Sequence, residues 1–542
     1  MKISSMMHPK VHIACFVSSH GFGHAARSSA VMNAIYEQWP YVYFEIFTET
    51  PEWFFSQSLQ APFACHQVKT DVGLVQTSAL RFDLNKTIAA LDVFLPFENQ
   101  ILDELADILH KRDCQLIIAD ISPLGIAVGR RAGITSVLIE NFTWDWIYDA
   151  YQAADRRLAG HAAYLAEIFA AADHHIQTDP VCDSKTAAFR APPIARSPGR
   201  PPDETRERLG LSAKDKMVLI TMGGIPETFS FLDRLDRFDP EIHFVAPGAF
   251  AELPVHGRKL NQVTLLPRAS AFYHPDLVHA ADAVVGKIGY STLAEVCCAG
   301  VPFGYIPRQD FRESAVLGAY VQEKMRGLPI SEEAFISGDW LHCVHELFLT
   351  PTKPGNANNA ENGARIAALH ICAILACEKE MIEVVTPDGG LIGAAPRKRV
   401  HGNNQWMHRV VHVLVFDSRQ RLLLQKRSLN KRVAPGKWDT SVGGHVDCGE
   451  TLMAAARREM REELGISPEP PRFIYQYIHS NDFESELVST YICRYDGEIR
   501  HNPEEIDAVR FWEMRDIEAR LGAGVFSDNF EDEFRRYKAW TL

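Results

Sequence analysis

Short apolar runs alternate with segments of helical periodicity in the first part of the chain. From Lys10, the run VHIACFV is followed by the glycine turn SSHGFGHAARS, a helical segment and a second run, YVYFEIFTE. Strand, turn, helix and strand in that order are typical of a parallel α/β sheet. The later runs CQLIIAD and ITSVLIEN have the composition of strands buried on both faces. The pattern predicts an α/β lobe over residues 1–195.

A proline-rich break, APPIARSPGRPPDE at 191–204, predicts a crossing between two domains. A second series of strands follows it, in MVLITMGG, IHFVAPG, VTLLPR and ADAVVGKIG, with a helix from Ser291 to Ala299. We therefore expect a second α/β lobe over residues 196–375 and a cleft between the two lobes.

The pattern changes near residue 380, where alternating strands such as HVLVFD and RLLLQKR appear. This predicts a third, smaller lobe of mixed α/β structure over residues 376–542. The whole chain is therefore expected to be of the α/β class.

Composition and charge narrow the function classes. The 542 residues are 46% apolar and 23% charged, with a formal net charge of −13, which argues against nucleic acid as the main partner. The eleven cysteines include no C-x-x-C pair, so neither a disulfide framework nor a zinc site is indicated, and a reducing cytoplasm is expected. No apolar run reaches the ~18 residues of a membrane span, which leaves contact with a membrane surface open. Nothing in the pattern predicts the oligomeric state.

An acidic segment, GGHVDCGETLMAAARREMREELGI at 443–466, carries the strongest chemical signal. Glu459, Glu462 and Glu463 are spaced i, i+3 and i+4, so one face of a helix presents three carboxylates. Like charges at that spacing repel, and local helix stability does not explain them. Hard oxygen ligands suit Mg²⁺ or Mn²⁺, which bridge phosphate oxygens of a substrate.

This segment resembles the Nudix box, G-x5-E-x7-R-E-U-x-E-E-x-G-U with U apolar, at every fixed position. The resemblance implies an α/β/α sandwich and metal-assisted attack of water on the phosphorus of an X-diphosphate compound. It also assigns roles. Glu459, Glu462 and Glu463 would hold the metal and Glu450 would assist them. Arg458 would pair with a carboxylate and orient it.

Two glycines of the box also have predicted roles, and several glutamates are candidates for the general base. Gly444 would let the loop pass close to the metal, and Gly465 would end the helix in a left-handed conformation. The general base stays open among Glu463, Glu459 and Glu505.

The surrounding segment, HRVVHVLVFDSRQRLLLQKRSLNKRVAPGKWDTSVGGHVDCGE, resembles the Nudix branch close to isopentenyl-diphosphate isomerase. That isomerase has a reactive cysteine where this chain has Gly443, and Cys448 occupies a different position. Because proton transfer to an alkene needs that thiol, hydrolysis is favoured over isomerisation. Lys426, Arg427 and Lys431 are either phosphate contacts or a solvated strand edge and loop.

Three stretches of the first two lobes resemble sugar-nucleotide glycosyltransferases of GT-B architecture: HGFGHAAR (20–27), ENFTWDWIYDAY (140–151) and GKIGYSTLAEVCCAGVPFGYIPR (286–308). The resemblance is to the MurG-like group and to the front half of plant L-arabinokinase. It covers roughly residues 10–375 and implies twin Rossmann-like lobes, with the acceptor bound by the first and the nucleotide sugar, with uridine favoured, by the second. Sugar phosphorylation is not implied.

Candidate donor-site residues lie at the start of the helix in GKIGYSTLAE. Gly289, Ser291 and Thr292 open this helix, whose free N–H groups and dipole attract a diphosphate. Glu295 matches the position that holds the ribose hydroxyls in these transferases, the alternative being a solvated helix residue. Gly223 and Gly224 would let the backbone approach the phosphates, or simply form a turn at a strand end.

On the acceptor side, His24 matches the histidine proposed as general base in the MurG-like group, with His20 as a rival and a structural role as the alternative for both. Trp144 and Trp146 either stack on a sugar ring or belong to the core. No cofactor is expected for this part.

The favoured interpretation is a bifunctional enzyme, a sugar transferase fused to a Nudix phosphoanhydrase. In a second hypothesis the front part binds sugar nucleotides without catalysing transfer. A third, isopentenyl-diphosphate isomerase-like activity, is disfavoured by Gly443.

Overall fold

The computed structural model describes residues 10–185, 188–212, 214–223, 229–248, 257–350, 361–431, 434–468, 470–481 and 483–542. The chain divides into two compact units. The N-terminal unit is His12–Cys372, and the C-terminal unit is formed mainly by Ala373–Leu542. In the described part of the chain, no helix has the length and apolar character needed to cross a membrane.

The first sheet of the N-terminal unit has seven strands in the order β3-β2-β1-β4-β5-β6-β7. Their bounds are β1 (Val11–Val17), β2 (Val42–Thr48), β3 (Phe63–Gln67), β4 (Cys114–Asp120), β5 (Ser136–Glu140), β6 (His174–Thr178) and β7 (Phe189–Ala191). The helices of this lobe are α1 (Phe22–Gln38), α2 (Glu52–Ser58), α3 (Leu84–Phe94), α4 (Asn99–Lys111), α5 (Pro123–Ala132), α6 (Trp144–Asp149) and α7 (Arg157–Ala170). The central strands are buried almost throughout, as expected for a parallel sheet covered by helices.

The second sheet has the order β10-β11-β9-β8-β12-β13-β14, in which only the β10–β11 pair is antiparallel among the described pairings. Its strands are β8 (Lys216–Thr221), β9 (Ile242–Pro247), β10 (Arg258–Lys259), β11 (Val263–Leu266), β12 (Ala283–Lys287), β13 (Phe303–Ile306) and β14 (Gly327–Pro329). The helices are α8 (Pro202–Leu209), α9 (Leu232–Leu235), α10 (His274–Ala280), α11 (Tyr290–Ala299), α12 (Ser314–Lys324), α13 (Glu332–Ser337), α14 (Val344–Leu349) and α15 (Gly363–Lys379). Separate apolar clusters cover the two faces of this sheet.

The strand order fixes where each lobe can bind a ligand. The order reverses between β1 and β4 in the first sheet and between β8 and β12 in the second. Crevices open at the carboxyl ends of strands at such points. The loops after these four strands therefore supply the candidate site of the N-terminal unit.

The C-terminal unit contains a mixed nine-stranded sheet centred on β17. Its strands are β15 (Met381–Val385), β16 (Leu391–Pro396), β17 (Met407–Phe416), β18 (Leu422–Arg427), β19 (Trp438–Asp439), β20 (Val442–His445), β21 (Arg472–Ser480), β22 (Ser485–Arg494) and β23 (Ile506–Trp512). Its helices are α16 (Arg397–Val400), α17 (Leu452–Leu464), α18 (Met514–Glu518) and α19 (Asp528–Thr541). Apolar residues of α17 pack with one face of β17 and those of α19 with the other, which gives an α/β/α sandwich. The predicted fold class, two parallel α/β lobes followed by this sandwich, is confirmed.

Candidate functional sites

A cavity that is partly open to solvent lies at the carboxyl ends of both sheets of the N-terminal unit. The loop from β1 into α1 and the start of α6 form one side of it. The loop after β8 and the segment from β12 into α11 form the other. The structure thus brings together most of the predicted residues: His20, His24, Gly223, Gly289, Ser291 and Thr292. Gly224 lies outside the described residues.

His24 is held by a carboxylate that the sequence pattern did not single out. Its Nδ1 lies 2.9 Å from Oδ1 of Asp120, the last residue of β4. Asp120 also accepts hydrogen bonds from Arg27 Nε at 2.8 Å and from the Ser28 hydroxyl at 2.9 Å. His24 and Asp120 are 96 positions apart and meet because β1 and β4 are neighbours in the sheet, so no local motif could predict this contact.

The charge state of Asp120 follows from its surroundings. Burial raises the pKa of this carboxyl, but the charge and hydrogen bonds of Arg27 and the bond from His24 outweigh it and lower the pKa to about 2. The charged carboxylate keeps the Nδ1 proton on His24 and directs Nε2 away from Asp120. His20, the rival, differs in that burial and the neighbouring His24 lower its pKa well below the ordinary range.

The opposite side of the cavity is cationic. Lys287 ends β12, and its Cε lies 2.6 Å from where a Cβ at Gly223 would be, while the positive φ of 67° at Gly223 favours glycine there. Arg308 is buried and bonded to Glu313 at 2.6 Å. Helices α1 and α11 both begin here, with Gly21 and Gly289 as N-caps and no side-chain cap hydrogen bond at either end.

Glu295 does not meet the expectation that it binds ribose. One of its carboxylate oxygens is 2.9 Å from Arg196 Nε, and the other is 2.7 Å from His274 Nδ1. The residue is 2% exposed and is not among those that line the cavity. The prediction is corrected on this ground: both oxygens are engaged in internal ion pairs.

Of the two tryptophans, Trp144 lines the cavity and Trp146 does not. Trp144 is buried, and its Nε1 donates to Asp71 at 2.8 Å. Arg312 stacks on the ring of Trp146, with its Cζ 4.0 Å from the ring centroid. The alternative stated for both rings is a place in the core. Trp144 belongs to the apolar core and also lines the cavity.

In the C-terminal unit, the predicted acidic helix is α17. Thr451 caps its first turn by accepting from Ala454 N–H, and Gly465 ends it in the left-handed region at φ 66°. Gly444 faces the helix so closely that an added Cβ would lie 2.0 Å from Cδ of Glu459. The absence of a side chain at Gly444 is therefore what lets β20 pass beside the carboxylates.

Arg458 gathers three of the four predicted metal ligands. Its guanidinium bonds Glu459 at 2.7 Å, Glu462 at 3.0 Å and Glu450 at 2.9 Å. It also donates to the carbonyl of His445 at 2.9 Å. The orienting role predicted for this arginine thus has a geometric basis.

Glu463, the fourth, points elsewhere. Its Oε2 accepts from the Gly443 N–H at 3.2 Å and from Gln425 at 3.3 Å. Burial, followed by the charge of Glu459, raises its pKa to about 8. Burial likewise raises the pKa of Glu459 to about 7 against the opposing effect of Arg458. Crowded carboxylates that resist ionisation are the donor set that a divalent cation stabilises.

The basic candidates near the box are partly engaged. Lys431 pairs with Glu505 at 3.2 Å and Arg427 with Asp439 at 3.0 Å. Glu505 also contributes to raising the pKa of Glu463, so it lies close enough to affect that carboxyl.

Sequence reasoning missed a histidine cluster on one face of the central sheet. The ligand atoms of His401, His408 and His445 lie within 4.8 Å of one another, as do those of His408, Glu484 and Glu486. His408 is fully buried, and neither ring nitrogen makes a hydrogen bond within the described residues. Burial lowers its pKa to about 3, so the ring is neutral and free to act as a ligand. The available signal was His401 and His408 seven residues apart, with His445 inside the Nudix box segment.

Comparison with known proteins agrees with this architecture. Residues 406–533 match the family model described as NUDIX domain. Over 143 residues the chain is 36% identical to isopentenyl-diphosphate Delta-isomerase of Serratia proteamaculans, covering 26% of this chain and 78% of that protein. The chain belongs to the NUDIX family. Both the NUDIX box and the histidine cluster thus lie in the NUDIX part of the molecule, with His401 just before the matched residues.

The remaining part has relatives of another kind. Over 364 residues, 65% of the chain, it is 27% identical to L-arabinokinase of Arabidopsis thaliana, and it spans about a third (34%) of that protein's length. The match to a solved structure of a UDP-glucosyltransferase from Polygonum tinctorium covers 68% of this chain and 99% of that protein's chain. The sequence identity is 12% and the TM-score is 0.45. The chain thus joins a NUDIX domain to a region that is similar in sequence to part of L-arabinokinase, and the predicted resemblances to these two are confirmed.

Proposed function

We propose that the chain is bifunctional: the NUDIX part hydrolyses a nucleoside-diphosphate-linked substrate with a divalent metal, and the front part transfers a sugar from a sugar nucleotide. The observation that carries the first activity is the box geometry. Three carboxylates bond a single arginine, Arg458, and the pKa values of Glu459 and Glu463 are raised.

These residues fit a divalent cation of the Mg²⁺ or Mn²⁺ type. Glu459, Glu462 and Glu463 would hold it, assisted by Glu450, because hard carboxylate oxygens are the ligands such ions prefer. When bound, the metal neutralises charge on the phosphate oxygens and lowers the pKa of water.

The residues of the chain then supply position and proton transfer. Arg458 fixes Glu459 and Glu462 in the C-terminal half of α17 and holds β20 through the His445 carbonyl. The base that accepts the proton of the attacking water is Glu463 or Glu459, with Glu505 as the remaining alternative.

For the N-terminal unit, the carrying observation is the His24–Asp120 pair beside the cavity. With Nδ1 protonated toward Asp120, Nε2 of His24 accepts a proton from an acceptor hydroxyl as it attacks the sugar. The donor diphosphate is bound by the uncapped start of α11 at Gly289, Ser291 and Thr292, with Lys287 and Gly223 beside it. Lys287 would supply positive charge there, and no metal is proposed for this site. The acceptor lobe is 1–195 and the donor lobe 196–375, and uridine is the favoured base.

In the alternative hypothesis, the same cavity binds a sugar nucleotide without transfer. A His24 variant separates the two, because removing a base abolishes transfer and leaves binding intact, whereas a pure binding module shows no transfer to lose.

The histidine cluster favours a second candidate for the NUDIX part. Three neutral imidazoles and two carboxylates form a donor set suited to a transition metal, and proteins related to this part are named isopentenyl-diphosphate Delta-isomerases. Gly443 stands against it, since no thiol is present there to move a proton on an alkene.

One screen tests these assignments together. The purified chain is incubated with sugar nucleotides, dinucleotides and prenyl diphosphates, with and without Mg²⁺ or Mn²⁺, and phosphate, nucleotide and isomer products are followed. Metal-dependent cleavage of a phosphoanhydride supports the first activity, and release of nucleoside diphosphate that depends on an added acceptor supports the second. Isomerised prenyl diphosphate without hydrolysis would replace the hydrolase proposal.

A further inference from the structure

Asn141 connects the loop after β6 to a buried arginine of the first lobe. It follows β5, is 2% exposed and lines the cavity. Its Oδ1 accepts a hydrogen bond from Nη1 of Arg27, and because a guanidinium only donates, the Nδ2 group must face the other way. Nδ2 donates to the carbonyls of Thr178 and Pro180, the latter at 3.4 Å. One amide thus joins Arg27 to the loop 178–182.

Arg27 in turn connects this amide to the histidine proposed as general base. Its Nε donates to Oδ2 of Asp120 at 2.8 Å. Its Nη2 donates to Oδ1, the same oxygen that lies 2.9 Å from His24 Nδ1. Arg27 and Asp120 are both buried. The position of His24 therefore depends, through these two residues, on where Asn141 lies.

Tyr290 reaches the same loop from the second lobe. It is the first residue of α11, next to Ser291 and Thr292 of the proposed diphosphate site. Its hydroxyl donates to the Pro180 carbonyl at 2.8 Å and lies 3.2 Å from Cys182 Sγ. Burial raises the pKa of the Cys182 thiol to about 12, so the sulfur keeps its proton and donates to the phenol oxygen. The two lobes thus share the Pro180 carbonyl as an acceptor.

We propose that Tyr290 is a positioning residue for sugar transfer: it ties the start of α11, where the donor diphosphate binds, to the loop 178–182 and so to the base His24. This inference rests on the proposed transfer activity. When an anion orders the first turn of α11, the phenol is held against Pro180, and the loop keeps the base in place through the bonds described above. Contiguous hydrogen bonds couple two sites when both sites bias the same segment. Donor binding thereby sets the base before an acceptor attacks the sugar.

Amide hydrogen exchange with UDP as the probe tests this coupling without turnover. The Cys182 N–H donates to the Asn141 carbonyl at 2.8 Å, so its exchange reports on the loop, and the Thr292 N–H reports on the start of α11. UDP should slow exchange about tenfold at both amides in the wild type. In Tyr290→Phe, which lacks only the hydroxyl, UDP affinity and the Thr292 response should stay within about twofold, while the Cys182 response should be lost.

Tyr151→Phe is the matched control. The Tyr151 hydroxyl also donates to a backbone carbonyl of the opposite lobe, that of Asp310. This variant removes an equivalent hydrogen bond between the lobes at a different place, so both amides should respond to UDP as they do in the wild type. Thermal unfolding of each variant checks the fold.

Kinetics test the effect on the base. On a panel of UDP-linked sugars, with water or an added alcohol as acceptor, Tyr290→Phe should lower kcat about tenfold and keep KM for the sugar nucleotide within about twofold. Added to His24→Asn, it should cost nothing more, since a positioning residue acts only through the base. A raised KM with unchanged kcat would overturn the assignment, because Tyr290 would then serve donor binding alone.

The outcomes separate this inference from the proposed function. Slower exchange at Thr292 but not at Cys182 in the wild type leaves the donor site standing and overturns the coupling, as does an unchanged Cys182 response in Tyr290→Phe. If UDP neither binds nor changes either amide, the donor site and the coupling fall together. If UDP slows both amides but no sugar is transferred, the transfer activity fails, and loss of the Cys182 response in Tyr290→Phe still supports the coupling.

Discussion

Nδ1 of His24 lies 2.9 Å from Oδ1 of Asp120, and that carboxylate is clamped by Arg27. The pair joins the first turn of α1 to the end of β4 at the edge of the cavity. Because Asp120 is anchored independently of His24, the histidine can be replaced while the carboxylate stays in place.

We therefore expect His24→Asn to lower sugar transfer by at least about 100-fold while changing sugar-nucleotide affinity less than twofold. Chromatography of the released product measures transfer, and titration calorimetry measures the affinity for the sugar nucleotide. His66→Asn, which removes an imidazole bonded to Glu45 in the same sheet, is the control and should transfer normally. Undiminished transfer in His24→Asn would refute the base assignment.

Glu462→Gln combined with Glu463→Gln should remove metal-dependent phosphate release. The substitutions delete the charge of one carboxylate bonded to Arg458 and of the one beside Gly443. The assay is phosphate release over a range of Mg²⁺ and Mn²⁺ concentrations. Glu518→Gln, which alters an exposed carboxylate paired with Lys538, should leave the rate unchanged. A double variant as active as the wild type would show that the metal is held elsewhere.

Adjacent glycines offer a steric test of the box. Gly444→Ala places a methyl group 2.0 Å from Cδ of Glu459, so that carboxylate must move and hydrolysis should fall at least about 100-fold. At Gly443 the added carbon meets His412 at 3.2 Å, which a small shift relieves, so Gly443→Ala should lose much less activity. Steady-state kinetics of both variants decide the point, and equal losses would contradict the predicted contact.

The buried carboxylates of the N-terminal unit make its stability sensitive to acid. Burial raises the pKa of Glu295, but Arg196 and His274 outweigh it and bring the pKa to about 2, as Arg27 does for Asp120. Since the ordinary values are 4.5 and 3.8, the unfolded chain binds more protons than the folded one between these limits. The free energy of unfolding should therefore fall as pH drops from about 4.5 towards 2.

Arg196→Met isolates one of these pairs. At neutral pH it should cost about 3 kcal/mol, because Glu295 stays buried and keeps only its contact with His274. As pH falls and Glu295 takes up a proton, the difference from the wild type should shrink. Urea unfolding followed by circular dichroism at pH 7, 5 and 3.5 measures it, and a difference that stays constant with pH would rule out this pair as its source.

The histidine cluster predicts metal content independent of turnover. Protein prepared with Mn²⁺ or Zn²⁺ and then desalted should retain close to one ion per chain, and His408→Asn should lose most of it, because His408 belongs to both groups of close ligand atoms. Elemental analysis gives the number directly, with His479→Asn as the control. Equal retention by wild type and His408→Asn would argue against a site there.

Local sequence signals predicted the parts of the molecule that depend on local structure. The alternation of strands and helices gave the three sheets, and the spacing of Glu459, Glu462 and Glu463 placed them on α17. Contacts between segments that are distant in sequence could not be predicted from local patterns. Asp120 and His24 meet because β1 and β4 are neighbours, and a motif match at Glu295 carried no information about Arg196, which comes from the interlobe segment. His408 on β17 lies near His445 on β20 because the two strands pair there, with His445 opposite Val410.

The starts of α1 and α11 face each other closely: a Cβ added at Gly23 would lie 3.4 Å from the Ser291 hydroxyl. Both helix ends present backbone N–H groups that no side chain of their own satisfies. An anion entering between them would complete two helices at once, one from each lobe. Binding of the anion and ordering of both helix ends are thereby coupled in one equilibrium. Amide hydrogen exchange at Gly23 and Thr292 should therefore slow together as the ligand fills the cavity.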